Sequence, residues 1–90
     1  MKIHNLFRNP KYDHLRQRYV GETVEMVSMD DPAPIEKGDF GEVMAVDDAG
    51  QLIVNWNSNR ALNVNLGAGD VVRIIANPQS LYKETMNAAN

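Results

Sequence analysis

The middle of this chain carries a two-residue alternation strict enough to fix its own register. Leu52, Val54 and Trp56 alternate with Ile53, Asn55 and Asn57, and Leu62, Val64 and Leu66 alternate with Ala61, Asn63 and Asn65. In a strand, every second side chain shares a face, so each apolar set lies on one side. Residues directly opposite in an antiparallel pair also share a face. A hairpin joining the two runs must therefore oppose Val54 to Leu62 and Trp56 to Arg60, leaving the loop Asn57-Ser58-Asn59. Such loops end on a left-handed residue, a place where Asn substitutes well for Gly. The preceding turn obeys the same rule. Pairing Asp47 with Gln51 leaves Asp48-Ala49-Gly50, with Gly at the left-handed position, and brings Val46 opposite Leu52.

Val43 and Val46 lie three apart and cannot both face inward from a regular strand. A bulge near Met44-Ala45 reconciles them, and Val24 and Val27 pose the same problem in the first strand. The spacing predicts strands at Thr23–Met29, Glu42–Asp47, Gln51–Trp56, Arg60–Leu66 and Val71–Ile75. Gly67-Ala68-Gly69-Asp70 is the turn into the last of them. Five short strands separated by turn residues predict a mainly β fold, a small five-stranded SH3-like barrel.

Short helices flank it. Asn9-Pro10 is an N-cap followed by proline at the first helical position, with Tyr12, Leu15 and Tyr19 on one face and Gly21 as the stop. Asn77-Pro78 repeats the signal before Leu81, Tyr82, Thr85 and Met86. The expected organisation is thus a basic arm with a short helix at 1–20, the barrel at 21–76, and a C-terminal helix and tail at 77–90. Ninety residues with 43% hydrophobic content suit one thin-cored domain. Helices so short need a surface to pack on, which makes a homo-oligomer an expectation.

The net charge of −3 hides a split. Lys2, Arg8, Lys11, Arg16 and Arg18 face only Asp13 in the first 20 residues. Residues 21–50 hold nine acidic side chains and one cation, Lys37. The basic element is expected to fold over an acidic surface of its own molecule or of a sister subunit, and the acidic half argues against nucleic acid as partner. The absence of cysteine removes disulfides, thiol nucleophiles and thiolate metal sites. No apolar run reaches the ~18 residues of a membrane span and no secretory leader is visible, so the expected location is cytoplasmic, away from membrane.

The motifs Gly21-x-x-Val24, Met29-Asp30-Asp31-Pro32, Gly38-x-x-Gly41-x-Val43, Val46-Asp47-Asp48-x-Gly50-Gln51 and Val54-Asn55-Trp56 resemble a short family of bacterial, phage and conjugative-element proteins catalogued as a domain of unknown function. The resemblance covers about residues 21–73 and leaves both arms outside it. More distantly, Gly-x-Val followed by a Val-x-Trp strand is similar to mind-bomb-type and KOW-type SH3-like barrels. The family usually continues Trp-Asp-Asn-Gly, where this chain has Trp56-Asn57-Ser58-Asn59. The resemblance implies a fold and a mobile-element setting, and no activity.

Catalytic groupings are missing from the sequence. His4 and His14 lie in the basic arm, Ser28, Ser58 and Ser80 have no nucleophile-elbow context, and the aspartates lack calcium-loop spacing. No enzyme, metal or cofactor is expected. The candidate binding residues are Asp30, Asp31 and Pro32 at the start of a long loop, with Asn55, Trp56, Asn57, Asn59, Arg60 and Asn63 on the hairpin. Lys11, Arg16 and Arg18 represent the basic arm. Asp30-Asp31 could receive Arg or Lys from a partner, or cap its own turn. Trp56 suits either the core or a groove mouth. The outward amides Asn55, Asn57, Asn63 and Asn65 offer donors and acceptors together, a match for peptide backbone, a nucleobase or a sugar. The leading expectation is a non-catalytic module binding a host protein. The alternative is sequestration of a small polar ligand such as a nucleotide signal by an oligomer, and third is a nucleic-acid-associated barrel.

Overall fold

Turn chemistry decides most of the backbone between Asn9 and Pro78, the residues described by a computed structural model. The Asn9 side chain accepts from the Lys11 amide at 3.1 Å, and a single 3-10 turn over Pro10–Tyr12 leads into α1, Asp13–Tyr19. Four strands follow: β1 (Thr23–Ser28), β2 (Phe40–Val46), β3 (Leu52–Trp56) and β4 (Val71–Ile74). They form one antiparallel sheet in the order β3-β2-β1-β4.

The register predicted across the Asp48-Ala49-Gly50 turn holds. Asp47 donates its amide to Gln51, Gly50 has φ +80°, and Val46 opposes Leu52. The shift between Val43 and Ala45 leaves both Val43 and Val46 buried, as a bulge there requires. Asn59 has φ +64°, and Leu52 exchanges both backbone bonds with Val64, in the predicted register, but among the described residues no bridge joins Val54 to Leu62 or Trp56 to Arg60.

Two expectations are corrected. The stretch Arg60–Leu66 is not a fifth strand: its ladder is one bridge at Val64, and a 3-10 turn takes over at Leu66–Ala68. Side chains replace the missing rungs. The Trp56 indole donates to the Leu62 carbonyl at 2.9 Å, and Asn65 caps the 3-10 turn by accepting from Ala68. Asn is also a poor strand former, so the ladder has little local support there. Among the described residues the sheet is therefore open, and a closed five-stranded SH3-like barrel does not form. In β1 the irregularity between Met26 and Ser28 turns Val27 outward, 38% exposed, while Met26 takes the core position beside Val24.

The core gathers Val24, Met26, Ile35, Val43, Val46, Leu52, Val54, Trp56 and Val64 on one side of the sheet. Tyr12, Leu15 and Tyr19 pack against it, so the helix rests on its own domain through apolar contact. Its charges stay local. Arg16 bonds the Asn9 carbonyl at 2.8 Å and Asp13 at 3.1 Å, Lys11 lies over the Tyr12 ring, and Arg18 lies over Tyr19. The C-terminal helix expected over 77–90 lies outside the described residues beyond Asn77 and Pro78, as does His4 in the arm.

Gly50 couples the helix to the sheet. Its positive φ is strained for any other residue, and a Cβ there would sit 2.5 Å from the Tyr12 ring. Gly50→Ala is expected to destabilise by about 2 kcal/mol, roughly half from the left-handed backbone and half from displacing the ring. Urea unfolding of the double mutant with Tyr12→Ala checks this. The two losses should add to less than their sum, and strict additivity would show that Tyr12 does not crowd the turn.

Candidate functional site: a fastened loop between two clefts

The long connection from Met29 to Asp39 is polar, and a loop of this length tends to wander unless it is tied down. Here it is fastened at four points. Asp31 accepts from the Ala33 amide at 2.9 Å, closing an Asx turn. Ile35, a lone apolar residue among Pro34, Glu36 and Lys37, is 2% exposed and belongs to the core. Gly38 donates to the Met26 carbonyl at 2.9 Å. Arg60 reaches from the hairpin end to the carbonyls of Ala33, at 2.6 Å, and Pro34.

The start and the end of this loop wall two separate clefts. The first, about 440 Å³, is lined by Asp30 and Asp31 from the loop, with Met29, Gln51, Asn63, Asn65 and Asp70 among the facing residues. Among the described residues no cation lines it. Asn63 donates to the Gln51 side chain at 3.3 Å, while the Asn65 amide donates to Asp70 at 2.8 Å, holding the floor in place. The second cleft, about 580 Å³, lies between Pro34, Glu36, Lys37, Gly38 and Asp39 on the loop and Ser58 and Arg60 on the hairpin.

The predicted residues are thus only partly gathered. Asp30, Asp31 and Asn63 share the first cleft, and Arg60 lines the second while clamping the loop. Pro32 is exposed on the loop between them. Asn55 projects from β3 beside Glu42 of β2, and the exposed Asn57 and Asn59 form the hairpin turn; none of the three lines either cleft. Trp56 is 1% exposed with its indole nitrogen bonded, which is the core position and not the groove mouth. Lys11 in the 3-10 turn and Arg16 and Arg18 on α1 are absent from both cleft linings.

Asn65 belonged to the outward amide array, while Gln51 and Asp70 in the first cleft, and Glu36, Lys37, Asp39 and Ser58 in the second, were not singled out as binding residues. The one legible signal was Ile35: an isolated apolar residue in a polar loop marks a place where the loop must dip inward.

Among the described residues no group of three His, Cys, Asp or Glu side chains could hold a metal ion, and no helix is long and apolar enough to cross a membrane. The arrangement is suited to hydrogen bonding and charge recognition.

Comparison with known proteins places the chain without assigning it a role. No curated protein and no solved structure matches it. A family described as a domain of unknown function, DUF4314, matches residues 8–75. The match takes in α1, which the sequence motifs had left outside, and this agrees with the packing of Tyr12, Leu15 and Tyr19 on the sheet. The chain belongs to the DUF4314 family, and its capping helix is part of the family domain.

Proposed function

We propose that this domain is a non-catalytic binding module, encoded by a phage or another mobile element and acting in the cytoplasm on a host protein. The observation that carries the reading is the first cleft, where Asp30, Asp31 and Asp70 line the same walls as Gln51, Asn63 and Asn65. Carboxylates accept from a lysine or arginine side chain, and the amides both donate to and accept from main chain. A basic, extended polypeptide segment fits that chemistry. Polyphosphate does not, because the cleft is acidic. The alternative of a nucleotide held by basic arms loses support from Lys11, Arg16 and Arg18, which are engaged with their own helix. Self-association keeps no argument from α1, which packs on its own sheet.

A pull-down from bacterial lysate tests the reading. The wild-type domain and Asn55→Ala, altered outside the cleft, should recover the same host protein. Asp30→Lys combined with Asn63→Lys should reduce recovery at least about tenfold, a loss of roughly 1.4 kcal/mol. Recovery of no specific protein, or equal recovery by all three, would sink it.

A further inference from the structure

The second cleft has a different chemistry, and it does not depend on the reading above. Two cations, Lys37 and Arg60, and two anions, Glu36 and Asp39, line one concavity of about 580 Å³. That size falls within the range of small-molecule sites. Three features show that its walls are built. Arg60 is held by the Ala33 and Pro34 carbonyls, Asp39 donates its amide to Glu36 at 3.0 Å, and Gly38 is bonded to β1.

Asp39 is the informative member. One carboxylate oxygen accepts from the Phe40 amide at 2.9 Å. The other, Oδ2, is buried and has no hydrogen-bond partner among the described residues. A buried acceptor left unpaired is costly, and native structures rarely keep one without a reason. An ionised carboxylate can only accept, so its missing partner must be a donor, and a cationic one is strongest. Arg60 spends two of its N–H groups on the loop carbonyls and keeps donors in reserve, and the Lys37 ammonium is exposed. The cleft therefore offers acceptors for a cation and donors for an anion at the same place.

We propose that this cleft is a binding site for a small zwitterion of the amino-acid or short-peptide class. The ligand's ammonium completes Asp39, assisted by Glu36, and its carboxylate meets Lys37 and Arg60. Binding requires the Asp39 side chain to rotate so that Oδ2, buried in the free domain, reaches the ligand. Equal numbers of opposite charges make the site indifferent to simple anions and simple cations, each of which meets repulsion from half of the lining.

Triglycine with free termini is the probe, titrated into isotope-labelled protein and followed by amide chemical shifts. Saturable shifts are expected at Gly38, Asp39 and Ser58, with an affinity in about the millimolar range. N-acetylation or C-amidation of the peptide should each weaken binding about tenfold. Asp39→Asn should weaken the free peptide and remove the penalty of N-acetylation. Lys37→Ala, at an exposed position that leaves the fold intact, should remove the penalty of C-amidation. This second variant keeps the test decisive if Asp39→Asn impairs folding. No saturable shift, equal binding of capped and free peptides, or shifts confined to Asn63 and Asp70 would overturn the proposal. The last outcome would place the peptide in the other cleft, so it is distinguishable from failure of the host-protein reading, which the pull-down measures.

Discussion

Gly41→Ala is expected to destabilise the domain by about 3 kcal/mol or more, although it adds only one methyl group. Gly41 lies in β2 opposite Trp56, and its face is buried. A Cβ built there would fall 2.4 Å from the Asn55 carbonyl oxygen and 2.8 Å from the Trp56 Cα. Both are backbone atoms, so no rotamer change relieves the overlap and β2 and β3 must separate. Glycine inside a strand often marks such a close approach. For a domain of this size each kcal/mol shifts the midpoint by about 4–8 °C, so Tm should fall by roughly 12–24 °C. Gly67→Ala is the matched control. Its added Cβ meets only the Asn65 side chain at an ordinary 3.5 Å, and the change should stay within about 0.5 kcal/mol. Similar losses for the two variants would show that β2 and β3 are not in close approach at Gly41.

Trp56→Ala should cost about 3–5 kcal/mol, since a large, fully buried side chain is lost and the space cannot fully collapse. In a domain whose total stability is of order 5–15 kcal/mol, that removes between about a fifth and all of it. Trp56→Phe separates packing from hydrogen bonding. It keeps much of the volume but leaves the Leu62 carbonyl without its 2.9 Å donor, and should cost about 2 kcal/mol. Denaturant unfolding followed by circular dichroism reads both variants. A Trp56→Phe protein as stable as wild type would show that water readily replaces the indole. In that case the segment Ala61–Asn63 would be held chiefly by the Val64 bridge.

That segment also shows where reading by pattern stops. Parity alone yielded the correct register between Leu52 and Val64, and turn chemistry placed Asn59 and Gly50 in the left-handed region. The alternation Leu62, Val64, Leu66 is nevertheless a statement about faces and not about ladders. The faces are kept, with Leu62 and Leu66 packed against the core and Val64 fully buried. The backbone bonds are given up to the Trp56 indole and the Asn65 cap. Val27 is a second example. Spacing could show that β1 needs an irregularity, but not which of Met26 and Val27 it would turn inward.

The charge split along the chain was equally legible and equally incomplete. The basic and acidic halves are plain in the sequence, yet the helix docks through Tyr12, Leu15 and Tyr19, while Arg16 stays within its own element. Exposed ion pairs contribute about 0–1 kcal/mol, less than burying one aromatic side chain, so apolar contact decides the docking.

Caps, turns and strand faces depend on residues within a few positions of one another, and for that reason they could be read directly from the chain. The two clefts depend on groups far apart in sequence. Asp30 meets Asn63, Arg60 holds Ala33 and Pro34, and Asp39 shares a wall with Ser58 only after β1 and β2 have paired and Ile35 has entered the core. Long-range packing has no local signature, so it alone determines that the amide-bearing hairpin becomes one wall of an acidic cleft, and that Asp39 on a neighbouring cleft keeps a buried carboxylate oxygen with no hydrogen-bond partner among the described residues.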